Sequence, residues 1–206
     1  GYMGPTHHAL EDIALMSSLG LDCLVPAFDR DIASMIDSIA KPTYLRLGYE
    51  ILPEECAAPE YFAWRKLNFG KDKVVIALGP LSGLAWKASL VLEKEQRPDI
   101  WSVTDIDPSK IPDSFFQELI DKKIYIYEEH VKSGGLGMML TYEITKRGIS
   151  IESIKHRYAE SYPKTRFGSQ SFHRSENRIN IENMITDFKE KPQADGFINM
   201  GYMVLD

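Results

Sequence analysis

Val74-Val75-Ile76-Ala77-Leu78 is an unbroken apolar run, opened by Lys73 and closed by Gly79-Pro80. A stretch with no polar position is expected of a strand covered on both faces, and such strands belong to parallel sheets with helices packed above and below. The chain that follows repeats the pattern. Gly79-Pro80-Leu81-Ser82-Gly83 turns into a helix with Leu84, Ala88, Val91 and Leu92 on one side, and Ile100–Ile106 reads as the next strand. Pro112-Asp113 opens a helix with Phe115, Phe116, Leu119 and Ile120 facing inward. Lys123–Glu128 is a third strand, and Ser133-Gly134-Gly135-Leu136-Gly137 precedes a helix that stops at Gly148. Ser150–His156 alternates polar and apolar residues, as a half-exposed strand does. Residues 159–179 read as a polar surface loop carrying Lys164, Arg166, His173, Arg174 and Arg178, and Ile181, Met184, Ile185 and Phe188 mark a last helix.

The first fifty residues read as part of another α/β unit. Ala9, Leu10, Ile13 and Ala14 recur at helical spacing, Gly20 ends that helix, and Leu21–Ala27 is a short strand. Asp29 is the expected N-cap of a second helix, in which Ile32, Met35, Ile36 and Ile39 form a buried stripe. Thr43–Leu47 is rich in strand formers. Residues 51–72, with Pro53, Pro59 and the Phe69-Gly70-Lys71-Asp72 turn, read as a linker in which Tyr61, Phe62 and Trp64 plug against a domain. The division is 1–50, linker 51–72, a second domain over 73–190, and a tail over 191–206. For the tail's apolar string Phe197–Leu205, packing on a neighbouring chain and staying unpacked both remain open.

Two glycine-containing turns invite a ligand reading. Gly79–Gly83 has the order strand, glycine, helix, which suits phosphate at a helix N-terminus, but its spacing is neither the dinucleotide nor the P-loop pattern, and a tight turn is favoured. Gly134-Gly135 can present N–H groups to an anion or let a loop pack closely. The net charge of −6 and pI near 5.4 argue against nucleic acid or an anionic membrane as partner. Cys23 and Cys56, with five scattered histidines, have no metal-ligand spacing; they suggest a reducing, cytoplasmic setting and no structural zinc. No apolar run approaches the roughly 18 residues of a membrane span.

The chemistry-bearing candidates are His7 and His8, which follow the Gly4-Pro5 turn and precede the first helix. Glu11 and Asp12 complement the positive end of that helix, which disfavours a charged imidazole nearby. A neutral imidazole donates from one nitrogen and accepts at the other, which suits gripping a substrate hydroxyl. The plainer alternative is two half-exposed turn residues.

Gly4-Pro5-Thr6-His7-His8-Ala9-Leu10-Glu11-Asp12-Ile13-Ala14 resembles the Gly-Pro-Thr-His segment in the pyrimidine-binding domain of the transketolase family, and is similar to deoxyxylulose phosphate synthase, which shares the paired histidines. Pro42-Thr43-Tyr44-Leu45-Arg46-Leu47-Gly48 and Glu128-Glu129-His130-Val131-Lys132-Ser133-Gly134-Gly135-Leu136-Gly137 fit the same family in the same order. The resemblance implies an α/β fold: the second half of a pyrimidine-binding domain, followed by a three-layer, mostly parallel transketolase C-terminal-like domain. It implies thiamine diphosphate and Mg2+, held mainly by residues outside this chain, and transfer of a two-carbon ketol unit between sugars or sugar phosphates. His7 would be the catalytic and substrate-binding residue, with His8 beside it. The chain would be the C-terminal portion of a split enzyme, needing an upstream segment, a second transketolase-type chain or a homo-oligomer. In the family the glycine loop lies away from the reacting carbon, which favours the structural reading of Gly134-Gly135, with His130 orienting that loop or a subunit contact.

The chain departs from the family pattern at two positions. Met3 stands where transketolases carry an acidic residue, and Tyr49 where they often carry an arginine for the sugar phosphate; Arg46 is expected on the opposite strand face from Leu45 and Leu47. A pyruvate–aldehyde condensation and a non-catalytic association or regulatory module therefore stand as alternatives.

Overall fold

The computed structural model describes residues 8–48, 57–162 and 168–189. His7, Met3, Tyr49, Cys56 and the 191–206 tail lie outside the described residues.

Helix α1 (Asp12–Ser18), strand β1 (Asp22–Leu24), helix α2 (Asp31–Asp37) and strand β2 (Thr43–Leu45) form the first unit, in which β1 and β2 pair in parallel. The second unit is a five-stranded sheet in the order β3-β5-β4-β6-β7: β3 (Trp64–Asn68), β5 (Asp99–Val103), β4 (Lys73–Leu78), β6 (Lys123–Tyr127) and β7 (Ser153–Arg157). All its pairs are parallel except β3 against β5. Helices α3 (Leu81–Leu90), α4 (Asp113–Glu118), α5 (Leu136–Lys146), α6 (Gln170–Glu176) and α7 (Ile181–Lys189) complete it.

The expected central strand is β4, and its alternation builds two cores. Val74, Ile76 and Leu78 point to one face, where Ile124 and Ile126 of β6 join Phe115, Leu136, Leu140 and Ile13. Val75 and Ala77 point to the other, with Tyr125 and Tyr127, under Leu81, Ala85, Met184 and Phe188. Both faces are apolar because both are covered, giving the three-layer, mostly parallel arrangement expected. Helix α3 is buried on most of its surface because α7 packs across it.

Several expectations need correction, among them the inward faces given to Val91 and Ile120, which are exposed. The stretch read as a linker contributes an edge strand: Trp64 is buried against Phe115, and its indole N–H donates to the Asp105 carbonyl (2.9 Å). Of the aromatic plug, Trp64 is buried while Phe62 is 62% exposed. The polar stretch before α7 holds helix α6, capped by the Ser169 hydroxyl accepting from Phe172 N–H, and Arg174 on it is buried. In α2, Met35 is sealed but Ile36 is exposed, as is Ile39 just beyond the helix; the residue before this helix is Arg30, not Asp29, and it makes no side-chain cap.

The two units touch directly. Val25 N–H donates to the Thr104 carbonyl (2.8 Å), and Leu24 bridges Asp105 in antiparallel fashion. Among the described residues, no helix is long and apolar enough to cross a membrane.

Candidate functional site

The carboxyl ends of β1, β2, β4 and β6 converge on a cleft of about 650 Å³. Strand β4 is followed by a helix on one face of the sheet and β6 by a helix on the other, so the cleft borders the topological switch point, where open α/β sheets leave a crevice. Its walls come from the turn before α1 (His8, Leu10), the end of β2 (Arg46, Gly48) and the near side of α6 (His173, Arg174).

The charged groups on the wall are paired. Tyr44 hydroxyl donates to Asp12 Oδ2 (2.8 Å), and Arg46 Nη1 lies 3.4 Å from Asp12 Oδ1. Tyr44 and Arg46 therefore share a strand face, as the alternation predicted. Burial and the bond to Asp12 raise the Tyr44 pKa, so its phenol keeps its proton. Across the cleft Arg174 donates to both oxygens of Glu129, from Nε (2.7 Å) and Nη2 (2.8 Å), and Gln170 Nε2 adds a contact at 3.3 Å. This two-point fork is the geometry guanidinium favours.

Two imidazoles meet at the mouth. His8 and His173 stand edge to face with centroids 4.6 Å apart. Burial, and after it the neighbouring His8, lower the His173 pKa, which favours its neutral form. His8 thus occupies the cleft wall, one residue from His7. Arg46, the arginine nearest in sequence to Tyr49, is engaged with Asp12.

The glycine loop is not an open anion site. Leu136 N–H donates to Glu128 Oε2 (2.7 Å) and Gly137 N–H to Glu128 Oε1 (3.0 Å) at the start of α5. His156 Nε2 donates to the same Oε1 (2.6 Å). The chain's own carboxylate fills the nest, as the packing interpretation requires. His130, fully buried, accepts Ala14 N–H at Nε2 (3.2 Å) while its Nδ1 donates to the Val131 carbonyl (2.7 Å). A carbonyl can only accept, so the proton sits on Nδ1 and Nε2 is free to accept. His130 orients loop and helix.

Thiamine diphosphate and a divalent metal do not fit the described residues. No group of three or more His, Cys, Asp or Glu side chains among them could hold a metal. The backbone donors able to cradle a diphosphate at α5 are spent on Glu128.

Residues 129, 170, 173 and 174 escaped the sequence reading as one constellation because Arg174 meets Glu129 from 45 positions away. Only the turn residue Ser169 before α6 offered a local signal, as an N-cap.

No family model matches the chain. It is 27% identical over 169 residues to one subunit of the apulose-4-phosphate transketolase of Phocaeicola vulgatus, covering 75% of this chain and 52% of that protein. It is 26% identical over 166 residues to the protein of the same name in Actinobacillus succinogenes, covering 76% of this chain and 53% of that one. The chain thus spans about half the length of these relatives. In fold it matches a split-gene transketolase described as an inactive beta4 tetramer, with TM-score 0.70 and 23% identity over 90% of this chain and 62% of that one. It also matches transketolase from Leishmania mexicana, with TM-score 0.64 and 17% identity over 89% of this chain and 27% of that one.

Proposed function

We propose that this chain, transketolase-like in sequence and fold and corresponding to the C-terminal part of a split transketolase, serves an enzyme that moves a two-carbon ketol unit between sugars. Thiamine diphosphate and Mg2+ would be held mainly by residues outside this chain, and the carbon–carbon chemistry belongs to that cofactor. This chain's part is orientation. His7 donates to the substrate oxygen on which charge develops, and His8 shapes the cleft wall beside it. The observation that carries the reading is the placement of His8 on a cleft at the strand carboxyl ends, in a chain whose named relatives are transketolase subunits. A partner chain and an oligomer in the cytoplasm complete the proposal. The relatives' name makes apulose 4-phosphate the first substrate to try.

The test is ketol transfer by the complete chain assembled with its partner, with sugar phosphates and pyruvate compared as donors. His7→Ala should lower kcat by roughly 10²–10³, the range for loss of one oxyanion donor, with little change in cofactor affinity. His8→Ala should cost less. Unchanged turnover in His7→Ala would return both histidines to turn residues without a chemical task, and transfer from pyruvate alone would overturn the substrate class.

A further inference from the structure

The turn that follows His7 is held by the other unit. Leu10 is gripped through both backbone groups: its N–H donates to the Tyr162 hydroxyl (3.2 Å), and its carbonyl accepts from Val131 N–H (3.0 Å). The Tyr162 hydroxyl donates onward to the Glu11 carboxylate. Ala14 N–H ends on His130, and the His8 ring rests edge-on against His173. The glycine loop completes the dock. Gly134 has φ of +76°, and a Cβ there would lie 2.5 Å from the Ala14 Cβ, so the loop approaches α1 as closely as it does only without a side chain. Each of these partners lies between residues 130 and 173, in the five-stranded unit.

We infer that the five-stranded unit positions the substrate-binding turn, with Tyr162, His173 and His130 as positioning residues that act through His8, Leu10 and Ala14. This rests on the substrate role proposed for His7. A trans peptide holds consecutive Cα atoms about 3.8 Å apart, so a residue joined to a held turn moves with it. A displacement near 1 Å at a reacting centre costs about 10²-fold in rate, so small changes in this dock should reach turnover without touching substrate. The role goes beyond subunit association: the unit sets the geometry of a loop that belongs to the other sheet.

Tyr162→Phe is the sharpest probe, because it keeps the ring and removes only the hydroxyl shared by Leu10 and Glu11. In the complete enzyme with its partner chain, Tyr162→Phe should lower kcat about tenfold, a fraction of the loss a full 1 Å displacement brings, with KM for the sugar donor nearly unchanged. Exchange of the Leu10 amide hydrogen should quicken by at least as much. In a His7→Ala background the same substitution should add no further loss, since its effect runs through that imidazole. Wild-type turnover in Tyr162→Phe, or losses that multiply in the double variant, would overturn the inference. Should Tyr162→Phe fail to assemble, His173→Ala and His173→Phe replace it: the phenyl ring restores the edge contact with His8 and should recover most of the rate, and no recovery overturns the role of His173. If His7→Ala alone leaves turnover intact, the proposed function falls and takes this inference with it; if His7→Ala is crippled and the dock variants are not, only the inference falls.

Discussion

Asp31 and Arg65 form a two-point ion pair sealed between α2 and β3, with Nη2–Oδ2 at 2.5 Å and Nη1–Oδ1 at 3.0 Å. Their side chains are 1% and 3% exposed. Asp31 also accepts Phe28 N–H (3.2 Å), Arg65 donates to the Pro59 carbonyl (3.1 Å), and the guanidinium lies over the Phe28 ring. The pair therefore clamps the first unit to the edge strand of the second.

Breaking this clamp from one side should be costly, because the remaining charge stays buried. Arg65→Met should destabilise the chain by about 3–5 kcal/mol, and Asp31→Asn by a smaller amount in the same direction. Combining the two should cost less than their sum, since no charge is then left buried without its partner. Chemical denaturation of the three variants checks this; strict additivity would argue that the pair contributes nothing as a unit.

The Glu128 nest predicts intolerance at the glycines. A Cβ on Gly135 would stand 2.1 Å from Glu128 Oε2 and 2.7 Å from His130 Nδ1. Gly135→Ala should cost about 1–3 kcal/mol through overpacking. Glu128→Gln should cost about 2–3 kcal/mol, because charge-assisted bonds to two N–H groups and His156 are weakened. Melting temperatures of both variants, compared with an exposed control away from the loop such as Val91→Ala, provide the measurement.

Asp187 gives the chain an acid-sensitive component. Burial pushes its pKa up, but bonds from Arg157, Lys155 and the Tyr127 hydroxyl outweigh burial and hold it below the usual carboxylate range. A carboxyl depressed in the folded state stabilises fully above its unfolded value, about 3.9, and that contribution is lost as pH falls through the folded value. The stability gap between wild type and Asp187→Asn should therefore be widest near neutrality and close as pH drops below about 4. Urea unfolding across that range reads it, and a gap independent of pH would contradict it.

Cys23 should be chemically quiet. Burial, then the nearby Asp12, Asp105 and Asp22 carboxylates, push its thiol up to about 11. Alkylation near pH 8 should run about 10²-fold slower than for an ordinary thiol near 8.5, as measured in a Cys56→Ser chain so that one cysteine reports. Rapid labelling would show that the first unit opens.

Part of this molecule was legible one residue at a time. Val74–Leu78 announced a two-sided strand, and the α7 pattern announced its buried face, because periodicity is a local consequence of which face is covered. At the cleft, His8, Arg46, His173 and Arg174 were each visible in the sequence, but not as neighbours. Its other wall depends on α6, a seven-residue helix in a polar stretch whose apolar contacts are too few to set a pattern. Strand β3 was hidden for a related reason: Arg65-Lys66 looks like surface until Arg65 meets Asp31 and Lys66 meets Asp99 and Glu118.

The order of residues sufficed for the alternation of strands and helices; that Gly134 must lack a side chain follows from its left-handed backbone and its approach to Ala14, which only the folded chain shows. The tertiary structure alone decided which anion fills the α5 nest, which arginine faces which carboxylate, and that Tyr162 and His173 reach the turn beside the histidines. Burial patterns repeat along the chain and can be counted, whereas a hydrogen bond between residues 45 or 152 positions apart leaves no local mark, since its partners are chosen by how the sheets bring loops together.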